Sequence, residues 1–289
     1  PRVDVQNYDL IHAHVYYSFA AIAAGWIKRA YKKPLVITCH GNLISGNKLV
    51  DYIEPIYTNS VGKLLLSQAD CITVMSESEK NRLIEMGIDN NKLFYLPNVI
   101  DLEQWDRYKE ICGLPFEQKF LEENKIILFV GSIIERKGVD YLIKALPLIY
   151  KRIPNAFCVF VGDGYFMNQA KHLINELNIG KRVFFAGQLE SQRLAEYYRI
   201  ADVYVLPSLA EGLPTTMLEA ATFSKPLVST DIDGVRDHFS DVAILVEPRN
   251  VQALANAIIN VLENQELAYK LGKAARELVE NKLNRKTQL

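Results

Sequence analysis

The sequence predicts an α/β protein built from two domains, each with a parallel sheet. Short apolar runs that end at glycine, proline or aspartate alternate with segments of helical periodicity, a pattern typical of strands covered by helices on both faces. The alternation stops over residues 100–125, which are charged and lack a clear apolar face, and then resumes. We interpret this stretch as a connection, and expect the strand ends of the two domains to face each other across a cleft.

The apolar runs give the order of the elements. The predicted strands of the first domain are 9–15, 34–40, 71–76 and 92–97, separated by helices over 18–30, 51–68 and 78–87. Those of the second domain are 125–131, 157–164, 182–187, 201–208, 225–231 and 242–248. Residues 139–153 place their apolar side chains on one helical face, and Pro147 predicts a kink or an early break in that helix.

Composition excludes several classes of protein. The chain has 289 residues, of which 49% are apolar, enough for one large core or two. A net charge of -1 argues against a nucleic-acid binder. The cysteines form no C-x-x-C pair, which disfavours a zinc ribbon, a redox motif or a disulfide framework and favours a reducing cytosol; they are Cys39, Cys71, Cys112 and Cys158. No apolar run approaches the roughly 18 residues of a membrane span, and the first residues, PRVDVQNYDL, do not form a signal peptide.

The stretch GSIIERKG, residues 131–138, is a candidate phosphate-binding loop. A strand ends at Gly131, and Lys137-Gly138 opens the next helix. A lysine beside a helix N-terminus suits a phosphate, because the backbone N–H groups add to its charge. The alternative is a solvated lysine in an ordinary βα loop, and the spacing is not that of a Walker motif. VGDG, residues 161–164, is more typical of a tight turn than of a dinucleotide fingerprint.

The stretch LAEGLPTTMLEAA, residues 209–221, carries two glutamates, Glu211 and Glu219, eight positions apart. Pro214 suits the first position of a helix, so Glu211 lies in the loop before it and Glu219 on its second turn. Gly212 allows a close backbone approach, and the N–H groups that follow can bind a diphosphate. A ligand with hydroxyls on both sides of a diphosphate is a nucleotide sugar. The segment alone is equally consistent with acidic residues that complement the helix dipole.

Ten segments together resemble one known family. In order they are DLIHAH, VITCHG, VMSESEKNRLIEMGI, LPNVID, VGSIIERKGVDYLI, VFVGDG, VFFAGQL, ADVYVLPS, EGLPTTMLEA and PLVSTDIDGVRD. The chain resembles the retaining GT-B glycosyltransferases of family four, which use nucleotide sugars. The resemblance runs nearly end to end and implies two Rossmann-like domains.

The resemblance implies roles for individual residues. Three are expected to act in catalysis: His40 near the reacting carbon of the sugar, Glu211 on the transferred sugar, and Lys137 on the departing diphosphate. Glu219 is expected to hold the ribose, the main chain of residues 212–215 the phosphate and sugar, and the backbone at residues 188–189 the base. The expected donor-binding set is Gly131, Ser132, Lys137, Gln188, Leu189, Glu211, Gly212, Leu213, Pro214, Thr215 and Glu219.

The chain departs from the family pattern in places. Ser132 stands where the family usually has arginine, Val99 replaces a glycine in PNVID, and Asp233 stands where a glycine is common. The chain is expected to start about two βα units late, without the usual glycine-rich acceptor-side loop, and to end before its last helix is complete. The predicted domains are therefore an incomplete acceptor-side domain over 1–110, a donor domain over 111–275, and the start of a returning helix over 276–289.

Other patterns are open to more than one interpretation. The D-x-D at Asp231 and Asp233 matches a metal-binding motif of another glycosyltransferase fold, but its setting after a late strand disfavours a metal. His12 and His14 alternate on a strand, and we expect a core His12 and a cleft-facing His14 rather than zinc ligands. The cations that end the first helix fit a helix C-terminus more simply than a membrane contact; they are Lys28, Arg29, Lys32 and Lys33, near Trp26 and Tyr31.

These observations predict a retaining, metal-independent hexosyltransferase of polysaccharide biosynthesis that needs no cofactor. It is expected to move a sugar from a UDP- or GDP-linked donor to a glycan, lipid-linked or small hydroxyl acceptor. We expect a cytoplasmic protein with no nucleic-acid partner, and peripheral contact with the inner face of a membrane stays open. The alternatives are a non-catalytic sugar-nucleotide binder, a nucleotide-sugar epimerase of the same fold, and a glucan synthase, which normally has a longer start.

Overall fold

The computed structural model describes residues 4–41, 48–111 and 113–287, so Cys112 lies outside the described residues. Residue contacts divide the chain into two units. The first unit is Pro1–Asn98 with Ala210–Leu213, and the second is Val99–Leu209 with Pro214–Leu289. This division falls before the boundary that the sequence predicts after residue 110, and it keeps residues 276–289 in the second unit. The predicted domain limits stay predictions.

The first unit contains a parallel sheet whose strands follow chain order, β1-β2-β3-β4 in the described residues. The strands are β1 (Ile11–His14), β2 (Leu35–Thr38), β3 (Cys71–Val74) and β4 (Leu93–Tyr95). The helices are α1 (Phe19–Tyr31), α2 (Lys48–Tyr57), α3 (Lys63–Gln68) and α4 (Glu77–Glu85), and a π-helical turn, Thr58–Gly62, joins α2 to α3. The four predicted strands of this domain are therefore confirmed.

The core of the first unit comes from alternate residues of its inner strands. Leu35 and Ile37 of β2 are fully buried, as are Ile72 and Val74 of β3. Ile37 is in register with both Ala13 and Ile72, so the apolar side chains form one row across the sheet. Burial of such side chains stabilises the fold by about 1.5–3 kcal/mol each. The row fixes the carboxyl ends of the strands, where polar residues follow.

The second unit contains a parallel sheet in the order β10-β9-β8-β5-β6-β7. Its strands are β5 (Lys125–Val130), β6 (Ala156–Val161), β7 (Val183–Gly187), β8 (Val203–Leu206), β9 (Leu227–Thr230) and β10 (Ala243–Val246), as the sequence predicts. The chain leaves β5 toward β6 and later returns to β8 on the opposite side of β5. Strand order thus reverses between β5 and β8, which is the position where ligands bind in open α/β sheets.

The helices of the second unit are α5 (Leu102–Ile111), α6 (Gln118–Glu123), α7 (Val139–Arg152), α8 (Met167–Glu176), α9 (Ser191–Ile200), α10 (Thr215–Thr222), α11 (Asp233–Phe239), α12 (Val251–Glu263) and α13 (Gln265–Lys282). The early break predicted at Pro147 is wrong, because α7 continues through it to Arg152. An interior proline costs about 3 kcal/mol. The buried face of α7 offsets that cost, since it includes Leu142, Ile143 and Leu146, each worth about 1.5–3 kcal/mol.

Residues 100–125, the stretch that we interpret as a connection, contain two helices. They form α5 and α6, and the expectation that they lack an apolar face is wrong at Leu102 and Trp105, which are buried. The Trp105 ring packs edge-on against Tyr198 and Phe223. The sparse apolar residues of this charged stretch are therefore enough to dock α5 onto α9 and α10.

Candidate active site

Two loops meet where the strand order of the second unit reverses. Gly138 has a φ of 66°, and a Cβ there would lie 1.9 Å from the Pro207 carbonyl oxygen, so only glycine fits. The Leu209 N–H donates to the Arg136 carbonyl over 2.8 Å. The loop after β5, which carries the predicted donor-binding residues Gly131, Ser132 and Lys137, is thereby fixed against the loop after β8.

The VGDG turn packs against the same loop. A Cβ on Gly162 would lie 2.0 Å from the Gly131 carbonyl oxygen, and one on Gly164 would lie 2.4 Å from that of Ile133. The Ile133 N–H also donates to the Asp163 carbonyl over 2.9 Å. Both glycines therefore allow the backbone of the VGDG turn to lie in direct contact with the backbone of the loop after β5.

Lys137 lies over the end of β5. It closes a short 3-10 turn, Glu135–Lys137, and its side chain is half-buried. Its Cδ is 3.9 Å from the position that a Cβ would take on Gly131, whereas Ser132 is exposed. The structure thus brings the Lys137 side chain close to Gly131, the residue that follows the central strand.

Helix α10 starts at Thr215, and Pro214 is its N-cap with φ −72° and ψ 113°. The prediction that Pro214 occupies the first helical position is therefore wrong by one residue. Its ψ is extended, and the helix can begin only after it. The first N–H groups of any helix lack intrahelical partners. Thr215 is exposed, so this N-terminus is accessible to an anion.

Glu219 lies on the second turn of α10 and is half-buried. The Tyr198 hydroxyl donates to its Oε2 over 2.7 Å. Burial raises the pKa of Glu219 to about 7, and the hydrogen bond from Tyr198 opposes this shift. Tyr198 is fully buried in an aromatic cluster with Trp105 and Phe223. No sequence pattern points to this partner, because Tyr198 lies on a different helix, 21 positions from Glu219 in the chain.

Gln188 and Leu189 follow Gly187, which ends β7 with a φ of 72°. Gln188 is exposed and Leu189 is half-buried. They lie at the carboxyl end of the sheet, like the residues after β5, but two strands away at its edge.

In the first unit, two glycines bring His40 and Gly212 together. A Cβ on Gly212 would lie 2.8 Å from the His40 carbonyl oxygen, and one on Gly41 would lie 2.9 Å from the Gly212 nitrogen. Gly41 also has a φ of 92°. The peptide that joins His40 to Gly41 therefore packs directly against the backbone of Gly212, and neither glycine has room for a side chain.

One further contact positions the 210–213 segment of the first unit. The Asn98 side-chain amide donates to the Leu213 carbonyl over 2.8 Å. Glu211 is half-buried. Asn98 is thus a positioning residue that was missed from the sequence. Its place directly after a strand end in LPN was the available signal.

Three histidines form a row on one face of the first sheet. The His14 Nδ1 is 2.9 Å from the His40 Nε2, and the rings of His12 and His14 stack with centroids 4.4 Å apart. Burial and the neighbouring imidazoles lower the pKa of His40 and of His12. The prediction of a shared face for His12 and His14 is confirmed.

The prediction of a core His12 is wrong, because its side chain is exposed. The alternation of β1 buries Ala13 instead, and the two histidines must then share the outer face. The His12 Nε2 is 2.7 Å from the Thr38 Oγ1, to which the Thr73 hydroxyl donates over 2.8 Å.

The D-x-D carboxylates pair with a cation. Arg236 donates from Nε to Asp231 over 2.6 Å and from Nη1 to Asp233 over 3.0 Å. Among residues 4–41, 48–111 and 113–287, no group of three or more histidine, cysteine, aspartate or glutamate side chains is arranged to hold a metal ion.

Comparison with known sequences identifies relatives of both units. Residues 114–278 match the family Glycosyl transferases group 1, and residues 2–104 match Glycosyltransferase Family 4. A GDP-mannose-dependent alpha-(1-6)-phosphatidylinositol monomannoside mannosyltransferase of Mycobacterium tuberculosis is 25% identical over 296 residues, which are 96% of this chain and 75% of that protein. An uncharacterised glycosyltransferase of Methanocaldococcus jannaschii is 28% identical over 196 residues, 65% of this chain. The chain spans only 47% of that relative's length.

Solved structures have the same two-unit architecture. Sucrose-phosphate synthase from Thermosynechococcus elongatus superposes with a TM-score of 0.79 at 26% identity, over 97% of this chain and 71% of that one. Anabaena HepE in complex with UDP-glucose superposes with a TM-score of 0.82 at 19% identity, over 98% and 77% of the two chains. The fold is therefore that of the GT-B glycosyltransferases, with two Rossmann-like domains. Because the group 1 match covers more than half of the chain, the protein belongs to the glycosyl transferases group 1 family.

Proposed function

We propose that the protein transfers a hexosyl unit, with retention of configuration and without a metal, from a UDP- or GDP-linked sugar to a hydroxyl acceptor. Family membership supports a glycosyltransferase. The names of relatives support the donor class: one is GDP-mannose-dependent, and another is a UDP-Gal:alpha-D-GlcNAc-diphosphoundecaprenol alpha-1,3-galactosyltransferase of Escherichia coli. Both names also describe lipid-linked acceptors, and a glycan, a lipid-linked sugar or a small hydroxyl compound fits the proposal.

The observation that carries this proposal is the placement of Lys137 and of the N-terminus of α10 on the loops after β5 and β8, at the strand-order reversal of the second unit. Lys137 lies over the end of β5, and the N-terminus of α10 follows β8 on the adjacent strand. An ammonium group and free helix N–H groups suit a diphosphate, and the reversal point is where ligands bind in this architecture. Lys137 would offset the charge that develops on the departing diphosphate, which is the main electrostatic demand of the reaction.

The remaining contacts are assigned by chemistry. Glu219, next along α10, would accept hydrogen bonds from the ribose hydroxyls. The main chain of residues 212–215 would hold the phosphates and the transferred sugar, and Gly131 and Ser132 would also contact the phosphates. Glu211 and His40 would contact the transferred sugar. The main chain at residues 188–189 would meet the base, which explains why side chains do not reveal whether the base is uracil or guanine.

The resemblance to retaining glycosyltransferases supports retention, and no candidate residue is an obvious covalent nucleophile. We propose attack from the face that the diphosphate leaves. The bond from the anomeric carbon to the diphosphate oxygen breaks, a bond to the acceptor oxygen forms, and the acceptor proton passes to the departing diphosphate. Lys137 stabilises the charge on that group.

A thermal-shift screen of UDP- and GDP-sugars tests the donor, because a ligand that binds only the folded state raises the melting temperature. We expect one nucleotide series to stabilise the protein and the other not. Transfer of the best donor to glycan and lipid-linked acceptors then tests catalysis, and proton NMR of the product gives its anomeric configuration. An inverted product excludes retention, and loss of activity in EDTA excludes the metal-independent reaction. Binding without hydrolysis or transfer favours a sugar-nucleotide binder.

We also propose a cytoplasmic protein that contacts the membrane peripherally at the C-terminal end of α1. Lys28, Arg29, Lys32 and Lys33 line a depression of about 440 Å³. Trp26 on the same helix is 76% exposed, and aromatic and basic side chains together suit an anionic bilayer surface. Lys28 is paired with Asp70, which reduces the free charge. In the described part of the chain, no helix has both the length and the apolar character to cross a bilayer.

Vesicle sedimentation tests this contact. Binding to phosphatidylglycerol vesicles but not to phosphatidylcholine vesicles is the expected result, and a Lys32→Glu, Lys33→Glu double variant should lose most of it. Equal binding of the variant, or no binding at all, would exclude the contact and leave these cations as partners of the helix C-terminus.

A further inference from the structure

Glu79 is a buried carboxylate at the first turn of α4, and only 6% of the residue is exposed. The sequence SESE, residues 76–79, has the S-x-x-E spacing of a capping box. Half of that box is present, because the Ser76 Oγ accepts from the Glu79 N–H over 3.2 Å. In a capping box the glutamate would turn back to the N–H of the serine. Here its Oε2 accepts from the Met75 N–H over 3.0 Å, and its Oε1 accepts from the Gly41 N–H over 2.9 Å.

Capping α4 does not require this buried charge. Ser76 already serves as the N-cap, and burial raises the pKa of Glu79, which shows that its carboxylate is held at a desolvation cost. The nearest cation, Arg82, lies 3.9 Å from Oε1 and offsets little of it. An ionised carboxylate is retained inside a protein when it satisfies buried N–H groups. Capping of α4 does not explain the contact with Gly41, which lies after the end of β2.

The Gly41 N–H belongs to the peptide that joins His40 to Gly41. On its other side this peptide faces Gly212: a Cβ on Gly212 would lie 2.8 Å from the His40 carbonyl oxygen and 3.2 Å from the Gly41 nitrogen. Glu79 therefore holds one edge of a peptide plane whose face packs on Gly212. Rotation of that plane would move the His40 side chain and collide with the Gly212 backbone.

We propose that Glu79 is a positioning residue of the active site, which fixes the His40–Gly41 peptide against Gly212 and so orients both the His40 ring and the Gly212 main chain toward the transferred sugar. This inference rests on the proposed function, in which His40 and Gly212 contact that sugar. It assigns to Glu79 no contact with substrate. Its effect should appear in the rate of sugar transfer more than in nucleotide affinity, because most of the proposed nucleotide contacts, those of Lys137 and Glu219 among them, are made by the second unit.

The test compares Glu79→Gln with Ser76→Ala. The amide keeps the shape of the side chain but has one acceptor oxygen for two N–H groups, so one contact is lost. Ser76→Ala removes the cap of the same helix and leaves the Gly41 contact in place. We expect Glu79→Gln to lower kcat about tenfold or more with less than about a threefold change in the KM for the donor. Ser76→Ala should lower the melting temperature about as much as Glu79→Gln does, and should keep kcat within about twofold of the wild-type value.

A second readout is the ring signals of His40 in nitrogen-15 NMR, assigned by their loss in His40→Gln. They should move in Glu79→Gln and stay in place in Ser76→Ala. If Glu79→Gln does not fold, Glu79→Asp replaces it, since a shorter carboxylate cannot span both N–H groups.

The inference is overturned if the Glu79 variant keeps wild-type kcat and His40 signals, or if kcat falls in both variants in proportion to their melting temperatures. If the wild-type protein turns over no nucleotide sugar, the proposed function fails by itself. The His40 signals still decide the role of Glu79 in that case.

Discussion

The Tyr198 hydroxyl donates to the Glu219 carboxylate over 2.7 Å, and this bond joins the proposed ribose ligand to the aromatic cluster beneath it. Trp105 and Phe223 pack on the Tyr198 ring, so the bond has a fixed direction. Burial raises the pKa of Glu219 to about 7 even with this donor present. The carboxylate that would bind ribose is therefore half-protonated near neutral pH in the absence of ligand.

Donor affinity should depend on pH through Glu219. A carboxylate accepts two ribose hydroxyls better than a neutral acid does, so affinity should rise as pH approaches 7 and level off above it. Well below that value it should fall by up to about tenfold per pH unit. Calorimetry with the intact nucleotide sugar between pH 5.5 and pH 8.5 measures this. Glu219→Gln should show a flat profile, and an equally steep profile in that variant would assign the titration to another group.

The contribution of Glu219 to stability should have the opposite pH dependence: it should decrease as pH rises toward 7. The folded pKa of Glu219, about 7, lies above its ordinary value of 4.5, so the folded state binds the extra proton between these two values. Its contribution to the free energy of unfolding therefore decreases as pH rises from 4.5 to 7. Glu219→Gln should gain stability relative to wild type across that range. Urea unfolding at several pH values measures the difference, and a constant difference would contradict the raised pKa.

Tyr198→Phe should weaken donor binding without removing any group that touches the donor. The ring is kept, the bond to the Glu219 Oε2 is lost, and the pKa of Glu219 should rise further because that bond lowers it. A hydrogen bond to a charged group contributes about 1.5–3 kcal/mol, so we expect affinity at pH 7 to fall about tenfold and the pH profile to shift upward. Tyr197→Phe, on the neighbouring position of α9, is the matched control and should leave both unchanged.

Lys137→Ala should reduce affinity for a nucleotide diphosphate by about tenfold or more, because an ammonium–phosphate contact is a charge-assisted hydrogen bond. The loss should shrink at high salt, where the charge is screened. Lys119→Ala is the control, since that side chain is 83% exposed and pairs along its own helix with Glu123. If calorimetry gives equal affinities for the Lys137 variant and the wild type, the diphosphate does not bind at Lys137.

Gly212→Ala should both destabilise the first unit and lower the rate of sugar transfer. Its Cβ would lie 2.8 Å from the His40 carbonyl oxygen, a distance that forces backbone movement. We expect a loss of about 1–3 kcal/mol in the free energy of unfolding, as for overpacking elsewhere, and a large drop in kcat. Gly180→Ala should be neutral, because the nearest atom to its Cβ is an Ile174 methyl at 3.7 Å. Wild-type kcat in Gly212→Ala would show that the close approach at His40 is not needed.

Sequence patterns were enough to predict the strands whose side chains are buried on both faces of the sheet. The runs IILFV and AFCVFV are strands because every side chain in them is apolar, and central strands of a covered sheet bury both faces. The same reasoning failed for residues 100–125, where two buried side chains, Leu102 and Trp105, dock a charged helix. At Pro147 the expectation of an early break was wrong, because the buried face of α7 outweighs the local penalty, and the alternative of a kink stays a prediction.

The sequence by itself determined the strand order along the chain, the glycine-marked loops, and the choice of Lys137, Glu211 and Glu219 as candidates, since these depend on residue type and spacing. Only the tertiary structure decided how those residues are held. Tyr198 meets Glu219 across 21 positions, and Glu79 meets Gly41 across 38, from helices that sequence spacing does not relate to the loops. Contacts of this kind arise from packing of whole elements, and packing fixes both the pKa of Glu219 and the peptide beside His40.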